Sequence, residues 1–308
     1  MVMTDLPHVD LAPDRAPDLA VGHAADLPNV LPHVVVDVFA DGPFRGSPIA
    51  VVLDADSLET EEMTAIAAWS DFTEVAFVLS PQDPESDYRI RVFSPSTEVR
   101  FAGLSTLAAC RAWLDHGHQP KVPTQVLQEC GAGTVQISVA AEDHLQFTAP
   151  PIYDRGGPDH LTVEIAREVL GLDADQIKAT TWLDNGPGFL GLLVSDADTV
   201  IAMDPNIPEL GQLCVGVMGA YPEGGPADFE MRSFAPSMGV AEYPAAAALS
   251  ASFATWLVPN DIAPASYTVS QGTVLGRSAK VHVQMHGDEV WVGGPVTTRV
   301  RGELTLSA

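Results

Sequence analysis

Tyr88–Val99 reads YRIRVFSPSTEV, and Phe229–Val240 reads FEMRSFAPSMGV. Arg91 and Arg232, Phe93 and Phe234, Pro95 and Pro236, Ser96 and Ser237, and Val99 and Val240 share one offset of 141 residues (232 − 91). The first copy opens with alternating Tyr88, Ile90 and Val92, the mark of a strand. Each copy then passes through a proline loop into an apolar, helix-like stretch that ends near a tryptophan, Trp113 or Trp256. One strand-loop-helix unit has been duplicated, which implies two halves of similar topology. Related halves invite an approximate twofold axis and a cleft at their seam. If both repeat helices aim their N-termini into that cleft, unpaired N–H groups and positive dipole ends converge on a volume suited to a carboxylate. The plainer alternative is two cores with no site between them.

Outward from the repeat, His33–Phe39 and Ile49–Leu53 read as strands around an Asp41-Gly42-Pro43 turn. Thr60 suits a helix N-cap, followed by Glu61 and Glu62 in the first turn and by Met63, Ile66 and Ala67 at helical spacing. Thr73–Leu79 returns to strand, and Leu104–Leu114 is apolar enough to predict a buried helix. The Pro- and Gly-rich run from Phe147 to Pro158 marks the expected domain boundary. Beyond it come a helix over Thr162–Leu170 closed by Gly171, strands at Phe189–Val194 and Phe229–Phe234, and an Ala-rich helix over Ala245–Leu257. Strands at Lys280–Met285, Glu289–Val292 and Thr298–Leu306 finish the chain. The expected organisation is an arm at 1–32, which carries Pro7, Pro13, Pro17, Pro28 and Pro32, then domains at 33–149 and 150–308, the last strands packing back on the first domain.

The 308 residues are 46% hydrophobic, enough for substantial cores. Lys and Arg number 15 against 41 Asp and Glu, a net charge of −26 that repels nucleic acid and anionic membranes. No membrane span or secretion signal is visible, and Cys110, Cys130 and Cys214 form no C-x-x-C pair. A cytoplasmic protein is expected. A small anionic substrate would depend on local positive features such as helix N-termini.

Glu74, opening the strand after Thr73, has the placement of a general acid or base at a cleft, although from the residues alone a solvent-facing strand-end glutamate is the better reading. Glu98 and Glu242 in the repeat loops suit hydrogen bonding to loop backbone, or a second acid. His116 and His118 flank Gly117 after the first repeat helix, a cation-friendly helix end with a structural reading. His282 and His286 lie roughly 13 Å apart if on one strand, too far to share a metal. With no H-E-x-x-H, EF-hand loop, P-loop, complete G-x-G-x-x-G or G-x-S-x-G, no metal and no nucleotide cofactor is expected.

Val36-Asp37-Val38-Phe39, Pro43 to Val52 (PFRGSPIAVV), Thr73-Glu74-Val75-Ala76-Phe77-Val78 and Phe93 to Val99 together resemble the PhzF (phenazine biosynthesis) family. Ser270-Gln271-Gly272, Gly276-Arg277 and Val292-Gly293-Gly294 fit its C-terminal pattern, so the resemblance spans about residues 33 to 306. It implies an α/β (α+β) diaminopimelate-epimerase-like fold: two similar domains, each a mixed sheet wrapped around a central helix, related by a pseudo-twofold axis, and usually a homodimer. It also implies a cofactor-independent isomerase in which a glutamate, here Glu74, moves a proton between two carbons of its substrate. Some members serve antibiotic biosynthesis. The three cysteines do not fall where epimerases proper place their facing pair.

This sequence departs from the family pattern at the site. The first helix start, normally Cys-Gly-His-Ala-Thr, is Ala102-Gly103-Leu104-Ser105-Thr106, so Leu104 replaces a histidine. The family's Glu-Asp-Pro-x-Thr-Gly-Ser-Ala becomes Glu242 to Leu249 (EYPAAAAL), with Tyr243 for aspartate and Ala248 for serine. The expectation is therefore an isomerase of a small unsaturated carboxylic acid. Glu74 is its acid/base, and Ser47, Gly103, Leu104, Ser105, Thr106, Tyr243, Ala247 and Ala248 contact substrate in a drier pocket. A catalytically inactive small-molecule binder, or a cyclase acting through pocket shape, is the alternative.

Overall fold

The computed structural model describes residues 30–306 apart from 142, 154, 186 and 187, so the arm expected at 1–32 lies outside the described residues except for its last three. Those three join a strand: Val30, Leu31 and Pro32 begin β1, where they pair with Thr305, Leu304 and Glu303. The first half contains β1 (Val30–Val38), β2 (Ser47–Val52), α1 (Thr60–Ser70), β3 (Val75–Leu79), β4 (Tyr88–Phe93), β5 (Glu98–Val99), α2 (Gly103–Asp115), β6 (Gln125–Cys130), β7 (Gly133–Ala141) and β8 (His144–Thr148). The second contains α3 (His160–Leu170), β9 (Ile177–Asp184), β10 (Gly188–Val194), α4 (Ala197–Ala202), β11 (Val215–Ala220), β12 (Phe229–Phe234), α5 (Ala247–Leu257), β13 (Ser266–Gln271), β14 (Ala279–His286) and β15 (Glu289–Thr305).

One continuous sheet runs β1-β2-β3-β4-β6-β7-β8-β15-β14-β13-β12-β11-β10-β9, and β1 also pairs with β15. That extra pairing closes the first eight strands of the path into a barrel. Helix α2 packs against β1, β2, β3, β4, β8 and β15. Such a helix must be apolar all round, and Gly103 to Cys110, Ala112 and Trp113 are buried. The remaining strands extend the sheet past β15, with α5 packed on β9, β14 and β15 and touching α2. The two halves repeat one pairing sequence. From β1 to β8 it is antiparallel, parallel, antiparallel, parallel, antiparallel, antiparallel. From β9 to β15 it is the same. The repeat loops meet: Ser96 Oγ donates to the carbonyl of Ser237, its counterpart 141 residues on, at 3.3 Å.

Several boundaries move for identifiable reasons. Glu59, not Thr60, caps α1, because Glu59 and Glu62 exchange side-chain-to-backbone bonds in a capping box and Thr60 becomes the first helical residue. The two expected terminal strands are one, β15. Pro295 does not break it, because it falls where the strand leaves β8, at His144, and takes up β1, at Val38 through Val296. Among the described residues no helix is long and apolar enough to cross a membrane.

Candidate active site

Glu74 sits one residue before β3, at the strand end that meets the start of α2. Ser105, in the first turn of α2, donates its hydroxyl to Glu74 Oε2 at 2.6 Å, and its backbone N–H bonds to the same carboxyl. Glu74 is buried. Desolvation pushes its carboxyl up to about 7, against the downward pull of the Ser105 hydroxyl and then the Ser105 amide. A carboxyl so poised can carry or release a proton near neutrality.

The carboxyl faces a cavity at the seam of the two halves. Leu104 lines it from α2, while Phe189, Met238, Tyr243 and Ala248 line it from the second half. Its volume is ≈ 20 Å³, enough for a water and too little for an organic acid. Gly103 and Ala247, the first residues of α2 and α5, also line it. By helix geometry the first-turn N–H groups of both helices lack acceptors within their own helices. At α2 the Ser105 amide already serves Glu74. At α5 the Ala246 amide donates to Gln271 Oε1 at 2.7 Å, Gln271 Nε2 donates to Ser250 Oγ at 3.0 Å, and Asn185 donates to the Ala248 carbonyl at 2.8 Å. The sequence reading missed Gln271, Asn185, Phe189 and Met238 as site groups. Gln271 stood in the C-terminal family pattern and Met238 in the duplicated unit, but nothing in Asn185 or Phe189 marked them.

Burial, then the neighbouring Glu74 charge, keeps the Tyr243 hydroxyl well above its usual range, so the phenol stays protonated. Ser105 is a partner of Glu74 and does not line the cavity. Thr106 points into the barrel, where Gln128 Nε2 donates to its hydroxyl and Tyr88 donates to Gln128. Ser47 is fully buried in β2, its hydroxyl without a partner, and is not among the cavity residues. Glu98 and Glu242 bond arginines rather than loop backbone: Arg91 grips Glu98 and Arg232 grips Glu242, each through two bonds. Burial pushes the Cys110 thiol up to about 12 and raises Cys130 and Cys214 as well, which removes ready thiolates.

Close approach explains Gly103. A Cβ there would lie 2.6 Å from Phe147 Cζ and 2.8 Å from Ala247 Cβ, so the two helix starts could not meet. Gly103→Ala is expected to cost about 1–3 kcal/mol in chemical denaturation. Gly157→Ala, where an added Cβ meets nothing within 4 Å, should serve as the neutral control. Equal stability of the two variants would contradict the contact.

A wider cleft of ≈ 460 Å³ adjoins the cavity, sharing Val99 and Met238 with it and lined further out by Arg100 and Arg155. Arg155 is paired with Asp184 at 3.4 Å and Glu98 lines the same cleft, so Arg100 is the main positive feature at the mouth of the seam.

The chain is 32% identical over 287 residues to antisense-enhancing sequence 1 of Schizosaccharomyces pombe, covering 87% of this chain and 96% of that protein. It is 27% identical over 272 residues to the trans-2,3-dihydro-3-hydroxyanthranilate isomerase of Pseudomonas aeruginosa, covering 83% of this chain and 90% of that one. The crystal structure of a phenazine biosynthesis protein of the PhzF family from Enterococcus faecalis superposes with a TM-score of 0.73 at 22% identity, covering 90% of this chain and all of that chain. The fold is thus diaminopimelate-epimerase-like, an α+β architecture with a closed barrel core and further strands. Residues 36–305 match the PhzC-PhzF family, described as phenazine biosynthesis-like protein, and the chain belongs to that isomerase-containing family.

Proposed function

We propose that the protein is a cofactor-independent isomerase that moves a proton, and with it a double bond, in a small unsaturated carboxylic acid. Glu74 acts first as general base and then as general acid. What carries this reading is the buried Glu74 carboxyl, poised near neutrality and held by Ser105 at the start of α2 beside a mainly apolar cavity. As carboxylate, Glu74 takes a proton from the carbon beside the double bond. The electron pair moves through the conjugated system towards the substrate carboxylate, whose growing charge is met by first-turn N–H groups of α2 and α5. Glu74 returns the proton at the far carbon. No electrons are gained or lost overall. Tyr243, kept protonated, donates a hydrogen bond or offers its ring as a stacking surface.

Because the cavity is too small for such an acid, substrate enters by parting the halves at Val99 and Met238, past Arg100 and Arg155. The repeated pairing order supports two like domains, 33–149 and 150–308, about a pseudo-twofold axis. The family resemblance supports a homodimer and a role in antibiotic-type secondary metabolism, and the cysteine pattern supports a cytoplasmic location.

The test is incubation in D2O with small unsaturated carboxylic acids, trans-2,3-dihydro-3-hydroxyanthranilate among them. Solvent deuterium is expected in at least one acid. The small volume and the apolar Leu104 and Ala248 favour a second reading, a non-catalytic binder, which predicts ligand binding with no deuterium uptake. A cyclase working by shape predicts activity that survives loss of Glu74. Leu104→His probes the drying of the pocket directly: the imidazole wets the cavity and lowers the Glu74 carboxyl, and turnover of the protein's own substrate should fall roughly tenfold. Unchanged turnover and ligand affinity would leave the tuning idea without support.

A further inference from the structure

At the end of α2 remote from Glu74, three side chains converge that the proposed reaction does not use. His116 is the C-cap of α2, and its Nε2 lies 3.7 Å from Oδ2 of Asp54. Gly117, at φ +97°, reverses the chain, and His118 N–H returns to the Trp113 carbonyl at 3.4 Å. The His118 ring then stacks on Trp113 with centroids 5.0 Å apart and planes 10° from parallel, and lies 5.6 Å from the His116 ring. Asp54 occupies a left-handed turn after β2, and its carboxylate caps no helix. One ligand atom from each of Asp54, His116 and His118 lies within 4.8 Å of the other two.

We propose that Asp54, His116 and His118 form a binding site for a divalent transition-metal ion of the zinc type. Two imidazoles and one carboxylate are the donor set such ions prefer, whereas Mg²⁺ and Ca²⁺ favour oxygen-only shells. Zinc takes these donors at about 2.0–2.2 Å, so neighbouring ligand atoms must close to a little over 3 Å. His116 and Asp54 are nearly there, and both are exposed and can turn towards His118. Stacking on Trp113 restricts the His118 ring in advance of binding. The C-terminal end of a helix is the negative end of its dipole, which favours a cation. A bound ion would leave a fourth position to water and would clip the end of the central helix to the turn after β2. From Ser105 to His116 is roughly 16 Å along α2 at helical rise, so this site is independent of the Glu74 chemistry.

The experiment is calorimetric titration of ZnCl2 into metal-stripped, untagged full-length protein. One equivalent is expected to bind with a dissociation constant on the order of micromolar, and to raise the melting temperature. His116→Ala and His118→Ala should each weaken binding by at least about tenfold and abolish the thermal shift. His282→Ala, which removes one ring of the separate His144–His282 pair, should leave both unchanged. A dissociation constant of about 1 mM or weaker would overturn the proposal. Binding that survives both single substitutions, or that His282→Ala weakens equally, would overturn it too.

Discussion

Glu74→Gln is expected to lower turnover by about 10²–10⁴-fold, the usual worth of a positioned general acid/base, and to stop deuterium uptake from solvent. The substitution is conservative where it matters. The amide oxygen of the introduced glutamine can still accept from the Ser105 hydroxyl and amide, so the start of α2 keeps its partner and ligand binding should survive. What disappears is the ability to take and release a proton. In the wild type the acidic limb of the kcat/KM profile should rise with pH and level off above about 7, once the carboxyl is ionised. A fully active glutamine variant would sink the assignment.

The same carboxyl leaves a mark on stability that needs no substrate. Its folded value of about 7 lies above the ordinary 4.5, so the folded state holds this proton more tightly than the unfolded chain does. The stabilisation is complete below about 4.5 and is lost as pH rises through about 7. It amounts to about 3 kcal/mol at most. Glu74→Gln removes this dependence. The stability of the glutamine variant relative to wild type should therefore rise between pH 4.5 and pH 8, and denaturation at several pH values measures it. Comparing the two proteins cancels the many surface carboxylates of an acidic chain. A difference that stays flat with pH would mean that Glu74 is not desolvated.

Glu74 was legible through the family motif that Thr73-Glu74 and the apolar strand after it resemble, but its proton affinity was not, since that comes from α2 and from residues more than a hundred positions away. Ser105 and Thr106 show the same limit. Both are small hydroxyl residues at a helix start, yet one turn of the helix sends Ser105 to Glu74 and Thr106 to Gln128 in the barrel wall. Residue type suggested substrate contact, and side-chain direction decided otherwise. Ser47 fails for a similar reason: it is buried in β2 and does not line the cavity. Among the strands missed, β7 carried a usable signal in alternating Val135, Ile137 and Val139. Strand β9, IKATTWLD at the edge of the sheet, is half-exposed along most of its length and has no such alternation. The duplicated unit was readable because its apolar and proline positions serve the same packing in both halves.

That duplication supplies the largest expected effect on stability, because its two arginines, Arg91 and Arg232, each hold a glutamate of the following loop, Glu98 or Glu242 (144 residues apart), in different surroundings. Arg232 and Glu242 are joined by bonds of 2.8 and 2.9 Å, with side chains only 4% and 8% exposed. Arg232 Nη1 also donates to the Val200 and Met203 carbonyls at the end of α4. Arg91 and Glu98 have the same two-bond geometry at 2.8 and 2.7 Å, but are 22% and 42% exposed. Water can replace Arg91 around Glu98, whereas nothing replaces Arg232 around Glu242. Arg232→Ala strands a buried carboxylate and two carbonyls, and should cost about 3–5 kcal/mol. Arg91→Ala should cost about 1 kcal/mol or less. Replacing both buried partners, as Arg232→Met with Glu242→Leu, should recover the part of the loss that comes from the unpaired charge, while the Val200 and Met203 carbonyls stay without their donor. Urea midpoints at constant m decide the matter. Equal costs for the two arginines would mean that burial does not separate the copies, and that the fold treats both loops as surface.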